Sequence, residues 1–152
     1  MPLLHPILWL LVGLASAWDL SQRRIPNKLI VIGLLGGFAL QTQIGGLAGL
    51  GLSFLGALCG LGLLIVPFAL HVMGGGDVKL TMVCGAFLGW LGVIEITLLA
   101  SVFHGALALG IVLANRGLYA MGRSTLPSDK LPYALAVAIA TILYTTEAVR
   151  LF

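Results

Sequence analysis

Charge is what this sequence has least of. Only 9% of its 152 residues are charged, eight basic and five acidic, where a soluble domain carries roughly 25%. So few charges cannot keep in water a body that is 60% hydrophobic with a mean hydropathy of +1.13, and a soluble globule is excluded. Cysteine is scarce too. Cys59 and Cys84 form no CxxC pair and have no histidine at zinc-ligand spacing, so neither a disulfide framework nor a metal site is implied and both read as packing residues. The net charge of +3 and the pI near 9.2 do not make a nucleic-acid face, because the basic residues are few and separated by apolar runs. No GxSxG motif is present to suggest a serine nucleophile.

Long apolar runs are what the sequence does have. Met1 to Trp18 carries no ionised side chain, residues 29–76 carry none, and Glu95 is alone between Leu80 and Ala114. A helix crosses the hydrocarbon in about 20 residues, with roughly 17 as the lower limit. Polar or glycine-rich breaks fall at Gln41-Thr42-Gln43 with Gly45-Gly46, at Gly89-Trp90-Leu91-Gly92, and between Asn115 and Lys130. The pattern predicts an all-α polytopic membrane protein, a single six-transmembrane-helix bundle with spans near 2–18, 29–44, 48–70, 80–91, 94–114 and 131–149.

Ala15-Ser16-Ala17 has the small residues of a signal-peptide cleavage site. No Lys or Arg precedes that run, whereas Arg23, Arg24 and Lys28 follow it, which favours a retained first helix with its amino terminus outside. The other loop cations, Lys79 and then Arg116, Arg123 and Lys130, fall in the third and fifth loops, with Arg150 as the exception. Both termini are therefore expected outside and the basic loops in the cytoplasm. Glycine, 21 residues in all, recurs four apart at Gly33 and Gly37, Gly56 and Gly60, and Gly85 and Gly89. Small residues at that spacing let helices approach closely in lipid. The bilayer is the first expected partner and a second copy of the chain a further candidate. Pro67 is expected to kink the third span.

Ionisable groups near membrane depth are functional candidates. Asp19 closes the first span and Asp77 opens the fourth, and by the parity of the spans both emerge on the cytoplasmic face. Two carboxylates that meet share one proton, leaving a base and an acid. Such a pair can hydrolyse a peptide bond without a covalent intermediate, one carboxylate activating water while the other protonates the carbonyl oxygen or the leaving amine. The plainer reading is that each aspartate belongs to a helix end, Asp77 suiting the helix dipole. Gly74-Gly75-Gly76 stands just before Asp77. It permits positive φ and close approach of an extended peptide, or it is simply a flexible turn.

Gly74-Gly75-Gly76-Asp77 resembles the GxGD motif of intramembrane aspartic proteases, and Asp19-Leu20-Ser21-Gln22-Arg23-Arg24-Ile25-Pro26-Asn27-Lys28 resembles the Asp and Arg-Ile-Pro-Asn segment of type IV prepilin peptidases. Asp77-Val78-Lys79-Leu80 and Leu131-Pro132-Tyr133-Ala134 resemble further segments of that family, so the likeness runs through essentially the whole chain. The resemblance implies an aspartic endopeptidase of the bacterial inner (plasma) membrane, with Asp19 and Asp77 as its catalytic pair and no metal or organic cofactor. Its implied substrate is the short basic leader of a pilin-like precursor, cut at the cytoplasmic face. The size is similar to that of the small members serving Flp (Tad) pili, and the paired-cysteine segment of the larger, methylating members is not seen, so peptidase activity alone is implied. The presenilin and signal-peptide-peptidase group shares GxGD but usually has Tyr before its first aspartate, where this chain has Trp18. The rival class is a small proton- or cation-coupled transporter or channel, which expects carboxylates near the midplane rather than at helix ends.

Around the pair, Lys79 would attract an acidic residue of the precursor or snorkel to the interface. Arg23, Arg24 and Lys28 read as topology anchors, with Arg24-Ile25-Pro26-Asn27 also shaping the loop that aims Asp19. His71, six residues before Asp77, would hydrogen-bond behind the pair or, as the reading preferred here, sit at the interface without chemistry, and His104 reads as polar glue between helices. Glu95 and Glu147 are assigned to the outer side, away from the pair, and Ser128 or Asp129 to the cap of the last helix.

Overall fold

A computed structural model describes residues 4–22, 25–71, 73–120 and 133–146, with backbone alone for 117–120. Four helices make up these residues: α1 (Leu4–Gln22), α2 (Asn27–Ala69), α3 (Gly75–Ala120) and α4 (Tyr133–Thr145). The first three contain stretches long and apolar enough to cross a membrane, while α4 is a shorter apolar helix of 13 residues. The protein is all-helical as expected, and its described residues form four continuous helices where six separate ones were expected. Gly46 and Gly89, at φ 58° and 75°, leave helical geometry inside α2 and α3 with no loop between the halves. Left-handed φ costs glycine nothing because it has no Cβ, so a single residue does the work of a loop.

At Gly46 the chain doubles back. A straight helix of 43 residues would measure about 65 Å, twice the hydrocarbon thickness. Instead a Cβ at Gly49 would run into the backbone carbonyl of Gln41, a residue two turns away on a continuous helix. Both halves of α2 lean on the same stretch of α3. Gly33 faces Val83 and Gly37 faces Ala86 and Phe87, while Gly56 meets the backbone at Gly85 and Gly60 that at Thr81. α3 folds back in the same sense at Gly89, since Asp77 from before the break and Ser101 and His104 from after it all lie beside Tyr133. In one straight helix Asp77 and His104 would be roughly 40 Å apart.

The core has the helical spacing of a buried stripe: Leu8, Val12 and Ala15 on α1, Leu80, Val83, Cys84 and Phe87 then Val93, Ile96 and Ala100 on α3, and Ala134, Val137 and Ala140 on α4. Leu10, Ile32, Leu35, Phe54, Val66 and Val102 point outward, an apolar exterior that suits lipid and not water. Since lipid is as apolar as the core, helix association rests on close packing and on polar contacts between helices. Ser16 shares its hydroxyl proton between the carbonyls of Val12, 2.8 Å, and Ala134, 3.0 Å, and Trp9 Nε1 donates to Thr145 Oγ1 at 2.7 Å. These contacts set α1 antiparallel to α4. The Gln41 amide and the fully buried Ser53 hydroxyl donate to the backbone carbonyls of Phe87 and Ala86. Ser53→Ala is expected to lower stability by about 1 kcal/mol, read as a drop in the thermal midpoint in detergent; an unchanged midpoint would remove this bond from the account.

Pro67 lies inside α2, where the backbone dihedrals stay helical. The helix stops two residues after it, with Leu70 bonded back to Val66 and His71 at φ 59° to Phe68, a left-handed helix end. α1 runs to Gln22, so Asp19 sits in its last turn, at the end of the first helix as expected. Glu95, assigned to the outer side, is buried within the bundle at 4% exposure. Arg23, Arg24, Arg123, Lys130, Ser128, Asp129, Glu147 and Arg150 lie outside the described residues.

Candidate active site

The start of α2 organises one end of the bundle. Pro26 has φ −61° and ψ 129°, the extended geometry its ring favours at a helix start. Its carbonyl takes the first turn, accepting from Leu29 N–H at 3.0 Å, and the helix begins at Asn27. The residue before a proline is held extended. Ile25 is buried there at 8% exposure, against the backbone of Gly76.

α3 begins at Gly75, with Asp77 in its first turn. The Asp77 carboxylate accepts from the backbone N–H of Gly74, the half of a capping box that the N3 side chain supplies, and the Asp77 N–H donates to the Gly74 backbone carbonyl at 3.2 Å, since Gly74 has no side chain to complete the box. Gly74, Gly75 and Gly76 do not take positive φ, so the conformational freedom expected of the triplet goes unused. Close approach is the reason for them here: a Cβ at Gly76 would stand 3.2 Å from Ile25, and one at Gly75 3.2 Å from Phe68.

These elements enclose a cavity of about 470 Å³. Asp19 from α1, Ile25, Pro26 and Asn27 from the start of α2, and Gly74, Gly75, Gly76, Asp77 and Lys79 from the start of α3 line it. Asp19 and Asp77 are half-buried and close enough for the charge of one to act on the other. Every residue singled out from the sequence as a site residue therefore reaches one pocket, although 58 positions separate the two aspartates. Lys79 has a partner that the sequence did not point to: its Nζ donates to Asn27 Oδ1 at 2.8 Å. Asn27 was legible only as part of a segment and not as a partner of Lys79.

His71 is exposed and does not line the pocket. His104 stands edge-on to Tyr133, ring centroids 5.4 Å apart, and its Nδ1 has no hydrogen-bond partner, so the contact that joins the two helices here is one of ring packing. Tyr133 was legible only as part of the Leu131-Pro132-Tyr133-Ala134 segment, and not as a neighbour of Asp77. Its hydroxyl lies near Asp77 and Ser101, yet Ser101 gives its own proton to Thr97 at 2.8 Å and the buried Tyr133 hydroxyl is left unpaired. Among the described residues no cluster of His, Cys, Asp and Glu could hold a metal ion.

Comparison with known proteins adds to this geometry. Residues 6–109 match the model of the type IV leader peptidase family, a stretch that contains both aspartates. The chain is 35% identical over 112 residues to the prepilin leader peptidase/N-methyltransferase of Aeromonas hydrophila, covering 69% of this chain and 38% of that protein. The enzyme of the same description from Aeromonas salmonicida (strain A449) matches with the same identity and coverage. The matched region thus spans under two fifths of the length of these curated relatives. No solved structure matches the chain.

Proposed function

The chain belongs to the type IV leader peptidase family, and from that premise we propose that it is a membrane-embedded aspartic endopeptidase that removes the basic leader from prepilins of the Flp type. The observation that carries this reading is the pocket in which Asp19 and Asp77 meet beside a glycine-lined wall. A water between the two carboxylates would lose a proton to the ionised one as it attacks the scissile carbonyl, while the protonated one gives its proton to the carbonyl oxygen. Collapse of the tetrahedral intermediate then passes a proton to the leaving amine, and the pair returns to its starting state. The wall at Gly74, Gly75 and Gly76 brings an extended substrate backbone within reach because no Cβ stands in its way.

The folded-back halves of α2 and α3 would make two crossings each, giving six with α1 and α4 and placing both termini outside and the pocket at the cytoplasmic face. Peptidase activity without methylation is the activity proposed. No cofactor enters the mechanism. The transporter reading loses ground because the carboxylates cluster at one end of the bundle, in the last turn of α1 and the first of α3, rather than at its middle.

The test is cleavage of a co-expressed Flp-type prepilin in membranes, followed by gel mobility and by sequencing of the new amino terminus. Wild type is expected to release the leader at one bond. Intact precursor beside well-inserted protein, repeated over a survey of other leaders, would dismiss the peptidase reading and bring the transporter forward.

A further inference from the structure

Lys79 is two residues beyond Asp77, and two positions along a helix set side chains about 200° apart. Even so, its ammonium curls back to the pocket rim, where Asn27 Oδ1 holds it at 2.8 Å. That single bond joins the start of α2 to the start of α3 across the mouth of the site. It uses one of the three ammonium protons and one lone pair of Asn27 Oδ1, and the carboxamide NH₂ is turned away from Lys79. Two ammonium protons and the carboxamide NH₂ remain as donors for a bound molecule. Among the described lining residues, Lys79 and Asn27 carry the only side-chain N–H groups, facing a pocket whose other polar side chains are the two acceptor carboxylates.

We propose that Lys79, held by Asn27, is a substrate-positioning pair that grips an acceptor oxygen of the bound chain and so sets the scissile bond against Asp19 and Asp77. The proposal rests on the peptidase reading above. An extended peptide presents such oxygens as main-chain carbonyls, and an acidic side chain presents them as a carboxylate. Both suit an ammonium and an amide donor. A lysine that merely snorkelled would have no reason to be tied to Asn27 over the pocket, and its removal would not affect how substrate binds.

The test is steady-state cleavage of the precursor by wild type, Lys79→Met, Lys79→Arg, Asn27→Ala and the Lys79→Met/Asn27→Ala double variant, with thermal unfolding in detergent alongside. Lys79→Met is expected to raise KM about tenfold or more, as loss of a charge-assisted hydrogen bond does, with a smaller fall in kcat. Lys79→Arg should recover most of that loss. Asn27→Ala should move KM the same way by less, and the double variant should be no worse than Lys79→Met, since the two act as one unit. Precursors whose acidic residues flanking the cut are changed to amides then identify the oxygen: the Lys79→Met effect disappears if a carboxylate is gripped and persists if a main-chain carbonyl is. Either result keeps the proposal. An unchanged KM in Lys79→Met overturns it while leaving the peptidase reading intact, as does a loss explained wholly by a lowered thermal midpoint that Lys79→Arg fails to restore. Failure of wild type to cut any precursor overturns both.

Discussion

Asp77→Asn and Asp19→Asn are each expected to reduce prepilin cleavage by about a thousandfold or more while the protein still inserts and folds. General acid and general base catalysis each supply roughly 10²- to 10⁴-fold, and asparagine can do neither because its amide does not exchange a proton with water or substrate at working pH. The substitution is nearly isosteric. At position 77 the amide oxygen can still accept from the Gly74 N–H that the carboxylate now engages, so the first turn of α3 is retained. Asp77→Ala, by contrast, would remove chemistry and cap together and lower stability by about 1 kcal/mol besides. The loss in both asparagine variants should fall on kcat, since the proton transfers occur in the transition state. The double variant should be hardly worse than either single one, because residues that act as a unit are not additive. Cleavage in membranes with abundance in the same fraction is the measurement. Full activity in Asp77→Asn would reduce that residue to the helix cap its geometry also makes it.

Gly85→Val and Gly56→Val are expected to unfold the bundle or nearly so. At this crossing the backbones themselves touch: a Cβ at Gly85 meets the carbonyl of Gly56, and one at Gly56 meets the carbonyl of Gly85. Overpacking commonly costs about 1 to 3 kcal/mol when a side chain can move aside. Here the obstacle is main chain on both helices, so the cost is expected at about 3 kcal/mol or above, a large share of a total of roughly 5 to 15 kcal/mol. Separation of the helices would also displace Asp77, which α3 carries two turns from Gly85, and cleavage should disappear with the fold. Gly62→Val is the control, since a Cβ there has nothing within 4 Å. Thermal unfolding in detergent and the amount of inserted protein decide the matter, and a Gly85→Val variant that melts with wild type would show that this crossing is not close.

How far these features were legible in advance varied with the range of the interaction behind them. The all-helical membrane character follows from composition and runs of uncharged residues, which need no knowledge of the fold. Gly46 and Gly89 stood in stretches that read as breaks, but nothing local showed that each would turn the chain by itself while helical hydrogen bonding resumed at once on either side. At the triplet Gly74 to Gly76, of the two properties read from the sequence, close approach is used and positive φ is not. Glycine is equally suited to positive φ and to close packing, and only the neighbours Phe68 and Ile25 distinguish the two. His104 illustrates the same limit. A histidine in an apolar helix is equally compatible with a hydrogen bond or a ring contact until its partner is known, and that partner, Tyr133, comes from another helix.

By itself, then, the sequence determined the solvent of this protein, the helical class and the identity of two carboxylates at the ends of apolar runs, because hydropathy and charge are properties of each residue wherever it lies. Which groups face one another was decided only by tertiary structure. Asp19 with Asp77, Lys79 with Asn27, and Tyr133 beside Asp77 are pairings between helices. They depend on how closely glycine-faced backbones approach and where two glycines reverse the chain, and those distances are set by packing in three dimensions, not by spacing along one.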